Sequence, residues 1–431
     1  MKFKKITVLL LVFSMVISLC QLGFGKTIVK FWYPWGGIDG DLRVKLAKEF
    51  NDTHPDIEVQ PLLVRGVGYD DGKLMAAIAG GEPPDVVLYW NGGPTRGMAT
   101  RDALTDLTPY LDKVGIKGSE YDPALWSQML YKDKVYGIPE LAGIYCSLYY
   151  NKNVMIKAGL NPNAPPKDIE QLDLYAEKMT KFDSKGQIDI AGFIPWMEQG
   201  GHTDFWPQVF GGKLLNEDET KVTANDPKII KAFEWMGSYG KKYGAQKFAA
   251  YLGSIQDVGN PGHPFYTGKL GMMINGTWVV AQIKKYAPKT FFGIAGNPAP
   301  PDGLKNPVYV GMNVWWIPKG AKNVEAALQF IAWMNEKVRM AQTADLVGNL
   351  GSKPAARKVQ KLRADKYSSV FFKLMDTGTL ITEPSSPVWP IYNDLLAKAR
   401  DKVIYGQATA KEALDEVTAK VQAELDKILK K

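Results

Sequence analysis

The sequence predicts an α/β protein in which mainly parallel strands are flanked by helices, built as two domains and finished by a helical tail. Three observations predict it. Apolar strand-like runs alternate with amphipathic segments of ten or so residues near the N-terminus, the signature of βαβ units. From residue 322 onward the spacing of apolar residues is almost entirely helical. The chain of 431 residues is 45% hydrophobic and has only two cysteines, so it can hold two domains by packing alone.

The elements follow in order. Residues 27–33 read as a strand and 41–51 as a helix, with Leu42, Leu46, Ala47 and Phe50 on one face. A second strand spans 57–64, a helix 71–79, and a third strand 85–90 after a Glu-Pro-Pro turn. The first and third strands end in Tyr33-Pro-Trp-Gly-Gly37 and Tyr89-Trp-Asn-Gly-Gly93, both aromatic and rich in glycine. In open sheets of this kind ligands sit beyond the carboxyl ends of strands. Further on, strands are expected at 148–150, 270–274, 291–295 and 308–317. Helices are expected at 168–181, 226–243, 278–286, 322–343, 353–363, 387–405 and 410–429. The last opens with a capping box, Thr409-Ala-Lys-Glu412.

The N-terminus reads as an export signal. Residues 1–5 form a basic n-region and 6–19 an apolar h-region too short to span a bilayer comfortably. Gly23 and Gly25 supply small residues at the −3 and −1 positions, placing cleavage after Gly25 and the signal peptide at 1–25. A lipid anchor on Cys20 is the alternative reading, although the bulky Leu19 precedes it. Removal of the signal leaves Cys146 alone, so no intramolecular disulfide can form; its apolar surroundings, Ile144 to Tyr150, suit a buried small hydrophobe.

The formal net charge of +8 falls to +5 once Lys2, Lys4 and Lys5 leave with the signal. The remaining charges are interspersed, without the clustered basic face that nucleic acid requires. Three dispersed histidines and one cysteine give no metal-ligand spacing, and no metal or other cofactor is expected. GxSxG and GxxxxGK[ST] are absent, which removes the commonest serine-hydrolase and nucleotide-binding signatures.

The most informative stretch is Phe265 to Trp278. Leu270–Ile274 reads as a buried strand, Gly276 turns the backbone at once, and a helix begins near Trp278, so Asn275 and Trp278 reach a cleft edge. The segment resembles the "GxxAMxxxGxW" signature of bacterial extracellular solute-binding proteins, the capture subunits of ABC importers, particularly those for sugars. Other motifs agree in order. Phe50 to Glu58 is similar to "F-x-x-x-x-P-D-I-x-V", Ala79 to Asp85 to "GxxPDV", Gly137-Ile-Pro139 with Leu148 to Lys152 to "GIP…LYYNK", and Gly320 to Asn323 opens the expected helix. Trp315-Trp316 departs from the family, in which small or aliphatic residues are commoner there.

The resemblance implies a two-lobed periplasmic-binding-protein fold, type II-like, with the solute held between lobes that close by a hinge. Carried onto this chain, one lobe would take 26–140 plus 297–336 and the other 141–296 plus 337–431. It implies a monomer in the periplasm or extracytoplasmic envelope that hands a small-molecule solute, by family a sugar, to ABC permease subunits.

A sugar needs flat aromatic faces for its C–H surfaces and amides or carboxylates for its hydroxyls. Trp35, Trp196, Trp206, Trp278 and Trp389 sit beside glycine or proline at element ends and are candidate stacking residues. Tyr89, Asn91, His202, Asp204, Gly311 and Asn313 are candidate contacts at strand ends or in glycine-rich turns. Trp126, Trp235 and Trp333 suit the core. Trp315 and Trp316 must face opposite sides of their strand, and the sequence does not say which faces the cleft. His54 and His263 precede prolines and read as surface-loop residues. Arg65, Arg96 and Arg101 could serve a phosphate or carboxylate, which keeps glycerol phosphate, glycerol phosphodiesters or sugar acids open as ligands; a polyamine or a peptide is a further alternative and would require an acid-rich or broader cleft. A secreted glycoside hydrolase is a more distant reading, since it needs two carboxylates facing across the sugar.

Overall fold

The computed structural model describes residues 25–67 and 71–429. The expected signal segment and Cys20 lie outside the described residues, apart from Gly25.

Strand β1 (Thr27–Tyr33) leads into helix α1 (Gly37–Thr53), strand β2 (Ile57–Leu63), helix α2 (Gly72–Ala79) and strand β3 (Val86–Tyr89). A long strand, β4, runs from Ile138 to Asn151 and is buried along its whole length. Helices α3 (Ile169–Met179) and α4 (Pro227–Tyr239) follow. Asp168 starts α3 by accepting from the Gln171 amide, and Asp226 starts α4 by accepting from Lys228, with Pro227 at the first helical position. Strand β5 (Met272–Asn275), helix α5 (Val279–Tyr286), strand β6 (Phe292–Ala295) and strand β7 (Pro307–Trp316) complete the centre. The tail contains α6 (Val324–Met334), α7 (Lys337–Val347), β8 (Leu350–Gly351), α8 (Ser368–Thr377), β9 (Thr379–Ile381), α9 (Trp389–Ile404) and α10 (Ala410–Leu429). The Thr409 capping box forms as expected: the Glu412 amide donates to Thr409 Oγ1 at 3.2 Å, and the Thr409 amide donates to the Glu412 carboxylate at 3.0 Å.

The principal sheet has the order β6-β4-β7-β3-β1-β2. Among the named strands of the described residues, the parallel pairs are β1–β2 and β1–β3, the run expected of βαβ units, and β7–β9. Strand β7 is antiparallel to both β3 and β4, so the sheet is mixed. The first half of β4 pairs with β7 and β8, and the second half with β5 and β6. A fourteen-residue strand is long enough to belong to both halves of the molecule, and the return strand β7 must then run against it. Register shifts interrupt β7 at Tyr309/Val310 and between Met312 and Val314. Such bulges re-aim side chains; here the first precedes Gly311 and the second falls at Asn313.

Three further expectations change. The helix expected over 322–343 is two helices, broken at Asn335-Glu336. Asn335 is buried; its amide donates to the Pro139 carbonyl and the Tyr121 hydroxyl, and its Oδ1 accepts from Trp315 Nε1 at 3.1 Å. Those bonds to distant elements end the helix where no proline or glycine would. Neither Trp315 nor Trp316 faces a cleft: both are fully buried, and Trp316 donates to Thr95 Oγ1. His263 is likewise fully buried and not a surface residue. Cys146 is a buried thiol, as expected, with its pKa pushed up by burial.

Candidate functional site

Beside the middle of β4 and β7 lies a cavity of about 900 Å³. Tyr145 from β4 and Asn313 from β7 belong to its floor. Gly311 makes room for the Tyr145 ring, since a Cβ at 311 would stand 2.3 Å from it. The Tyr145 hydroxyl donates to the Trp90 carbonyl at 2.9 Å. The Trp90 and Tyr145 rings are nearly parallel, at 15° and 6.2 Å, and Trp278 meets Tyr145 edge-on at 5.5 Å and 77°. Three rings thus form an angled apolar wall, with Trp35 also lining the cavity. Gly276 is required beside Trp278, because a Cβ there would lie 2.2 Å from the indole.

Polar groups are supplied in oriented form. Asn349 Oδ1 accepts from Thr277 Oγ1 at 3.0 Å, and Asn393 Oδ1 accepts from Thr203 Oγ1 at 2.6 Å. Each threonine occupies the amide's acceptor, which leaves the NH₂ group as the unspent donor. Asn313 Nδ2 donates to Glu140 Oε2 at 3.0 Å. Glu140 in turn pairs with the buried Arg43, whose Nε and Nη2 donate to Asp39 at 3.0 and 3.1 Å. His202 lines the cavity and shares a 2.8 Å hydrogen bond with Gln199 Oε1; burial pushes its pKa down to about 4. Its ring is therefore neutral at neutral pH.

Of the two cations that line the cavity among the described residues, Arg400 is committed. Arg400 donates to the Gly201 carbonyl at 2.8 Å and to Asp401 at 3.1 Å. Lys285 lies over the Tyr286 ring, 4.9 Å from its centroid. None of Arg65, Arg96 and Arg101 lines the cavity. Arg96 pairs with Glu219, and Arg101 with Asp71 at 3.3 Å.

Of the eleven residues expected from the sequence, Trp35, His202, Trp278 and Asn313 line this cavity, and Gly311 shapes it from behind. The other six do not. Tyr89 is buried, stacked on Trp316 at 4.1 Å and donating to Asp71. Trp206 is fully enclosed among Phe205, Phe193 and Trp235, with Nε1 donating to the Pro195 carbonyl. Trp196 packs edge-on against Phe248. Asn91 and Trp389 both donate to Glu383, and Asp204 accepts from Tyr309 and Gln208. Their hydrogen-bonding capacity is spent inside the protein.

Sequence reasoning missed Trp90, Tyr145, Glu198, Gln199, Asn349 and Asn393. Trp90 had a signal, since it adjoins Asn91 at the end of the third strand. Tyr145 could not be told from core residues in a run that is apolar throughout.

A two-lobed sheet crossed by shared strands, with an aromatic and amide-lined cavity beside them, defines a solute-binding protein. The family profile of bacterial extracellular solute-binding proteins matches residues 45–368. The chain belongs to that family; it is a binding protein and not an enzyme, and it works outside the cytoplasm. Among relatives, the arabinooligosaccharide-binding protein of Bacillus subtilis (strain 168) is 25% identical, covering 97% of this chain and 99% of its own. The sn-glycerol-3-phosphate-binding periplasmic protein UgpB of Escherichia coli (strain K12) is 24% identical over 70% of this chain and 69% of its own. Among solved structures, CpMnBP1 with mannobiose bound is 34% identical with a TM-score of 0.84, covering 92% of this chain and 100% of that one.

Proposed function

We propose that the protein captures a neutral oligosaccharide in the cavity beside β4 and β7 and delivers it to the permease of an ABC importer. The observation that carries this reading is the angled wall of Trp90, Tyr145 and Trp278, bordered by the oriented amides of Asn349 and Asn393. Ring faces suit the C–H surfaces of a sugar, and amides suit its hydroxyls. At about 900 Å³ the cavity lies near the upper end of the 300–1,000 Å³ usual for small-molecule sites, which favours more than one sugar ring. The likeness to CpMnBP1, solved with mannobiose and with mannotriose, supports the same reading and makes those two glycans the first to try.

Glycerol phosphate fits less well despite the UgpB relatives. A buried phosphate is best held by a guanidinium fork or an amide nest, whereas Arg400 is already engaged by Asp401 and Gly201 and Lys285 is a single exposed ammonium at the lining.

The lobes would be 26–140 plus 297–336 and 141–296 plus 337–431, with one refinement. Lys353 pairs with Glu120 at 2.8 Å and Arg357 with Asp122 at 2.6 Å, which favours extending the first lobe to about 357. We further take the protein to be a monomer that binds no nucleic acid, exported by cleavage after Gly25. An N-terminus at Lys26 in the mass of the secreted chain would support that cleavage; a diacylglyceryl Cys20 would replace it.

The test is a calorimetric and thermal-shift comparison of the chain from Lys26 onward. Its panel holds mannobiose, mannotriose, arabino-oligosaccharides, maltose, glycerol 3-phosphate, a polyamine and a short peptide. Ligand at 100 times its Kd adds about 2.7 kcal/mol. A shift with a neutral oligosaccharide is expected, and a response confined to glycerol 3-phosphate, the polyamine or the peptide would overturn the carbohydrate reading.

A further inference from the structure

We propose that Glu198, held from behind by His263 and Asn275, is the group that selects the sugar, by accepting two adjacent hydroxyls of one ring. This assignment rests on the carbohydrate reading above.

Two acids line the cavity, Asp39 and Glu198. Asp39 is held in a bidentate ion pair with Arg43, one bond to each oxygen, so its charge is already compensated. Glu198 is different. Among the described residues no lysine or arginine pairs with it, and its side chain is 18% exposed. A carboxylate offers about four acceptor sites. Asn275 Nδ2 donates to Oε2 at 3.4 Å, and His263 Nε2 lies 3.3 Å from Oε1. One site on each oxygen is thereby used, and one remains.

The two supports are oriented by the same device. The Gly276 amide donates to Asn275 Oδ1 at 2.8 Å, so the NH₂ end of that side chain must turn to Glu198. The Phe265 amide donates to His263 Nδ1, so the proton of the neutral ring sits on Nε2 and points at Glu198. Both residues are fully buried. Two backbone amides from one segment, 265–276, therefore fix two donors onto a single carboxylate.

Glu198 also has a left-handed backbone, φ +54°, and is the one non-glycine residue of that kind among the described residues that lines the cavity. A non-glycine side chain in that region is uncommon and is a mark of functional sites. With each oxygen keeping one free acceptor site, the carboxylate matches two neighbouring hydroxyl donors and offers nothing to an anion. The geometry thus adds a polar specificity element to a cavity whose aromatic faces bind sugars indiscriminately.

The test couples protein and ligand. Calorimetry would compare wild type and Glu198→Gln with mannobiose and its full set of monodeoxy analogues. The wild type should lose about tenfold to a hundredfold on removal of either of two adjacent hydroxyls. Glu198→Gln should bind mannobiose weakly by the same factor and be indifferent to those two deletions. His263→Phe should show the same indifference, and ¹⁵N spectra of the unliganded wild type should show His263 as the Nε2–H tautomer, which keeps the supporting role testable if that variant does not fold. Equal binding by Glu198→Gln, a loss in that variant that stays additive with every deoxy substitution, or a Nδ1–H tautomer would overturn the assignment while leaving sugar capture intact. A wild type that binds no glycan of the panel overturns both.

Discussion

Arg43 and Asp39 stand one helical turn apart at the start of α1 and are joined by two hydrogen bonds of 3.0 and 3.1 Å, yet only Asp39 reaches the cavity. Arg43 is completely buried, and its other amino group pairs with Glu140, which in turn accepts from Asn313. One guanidinium therefore fixes two cavity walls, α1 through Asp39 and the bulged strand β7 through Asn313. Burial disfavours the Arg43 charge, but the two carboxylates outweigh it and raise the pKa overall.

Arg43→Met should accordingly be severe. It leaves Glu140 buried and unpaired, a loss of about 3–5 kcal/mol, to be read as a fall in urea midpoint at neutral pH. Replacing Glu140 as well, with Met, removes the orphaned charge and should recover part of that loss. A single variant within 1 kcal/mol of wild type would mean that water reaches the pair.

A second buried cluster makes stability depend on pH in two opposed ways. The Asp204 carboxyl is pushed well up by burial and by nearby Glu383, and Glu383 is itself raised by burial. Their partners, Tyr309, Gln208, Asn91 and Trp389, are all neutral. A carboxyl with a raised native pKa binds its proton more tightly folded than unfolded. Its stabilising contribution is complete below the unfolded value of about 4 and is lost as pH rises through the native value. His202 works the other way. Its pKa is about 4 in the fold against about 6.5 unfolded, so its contribution is present above about 6.5 and lost as pH falls towards 4. Asp204→Asn should flatten the loss on the alkaline side, and His202→Gln the loss on the acid side. Urea titrations at pH 4 to 8 would separate them, and unchanged slopes in both variants would count against the burial argument.

Much of the fold was legible because its signals are local. Strand β1, the capping box at Thr409 and the turn at Gly276 need only neighbours in sequence to specify them. Strand β4 is legible in the sequence only over residues 148–150, since Pro139 and Gly143 interrupt its pattern while tertiary pairing on both sides sustains it. The site was less legible for the same reason. Trp206 and Trp278 look alike in sequence, each near glycine or proline at an element end. What separates them is which partners enclose the ring, and those come from residues distant in the chain, such as Trp235 and Tyr145. Asn91 is drawn away from the cavity by Glu383, a partner 292 residues distant that no local pattern reveals.

That contrast can be measured. Trp278→Ala removes a cavity-lining ring and should weaken sugar binding by about thirtyfold with a small change in melting temperature. Trp206→Ala opens a cavity in the core and should cost about 3–5 kcal/mol, while folded protein keeps its affinity. Calorimetry on both variants decides; a Trp206 variant that folds normally but no longer binds would reverse the two roles.

Gly311 offers the sharpest test of how the floor is built. A methyl group at 311 would lie 2.3 Å from Tyr145, and that ring is confined by Trp90 and Trp278. Gly311→Ala must therefore displace Tyr145, break its bond to the Trp90 carbonyl and disturb the aromatic wall. Overpacking of this kind costs about 1–3 kcal/mol, and affinity should fall alongside stability. Adding Tyr145→Ala to Gly311→Ala removes the clash, so stability should recover while affinity does not, because the floor has lost its ring. If the double variant instead regains full affinity, Tyr145 is only a spacer, and the stacking surface reduces to Trp90 and Trp278.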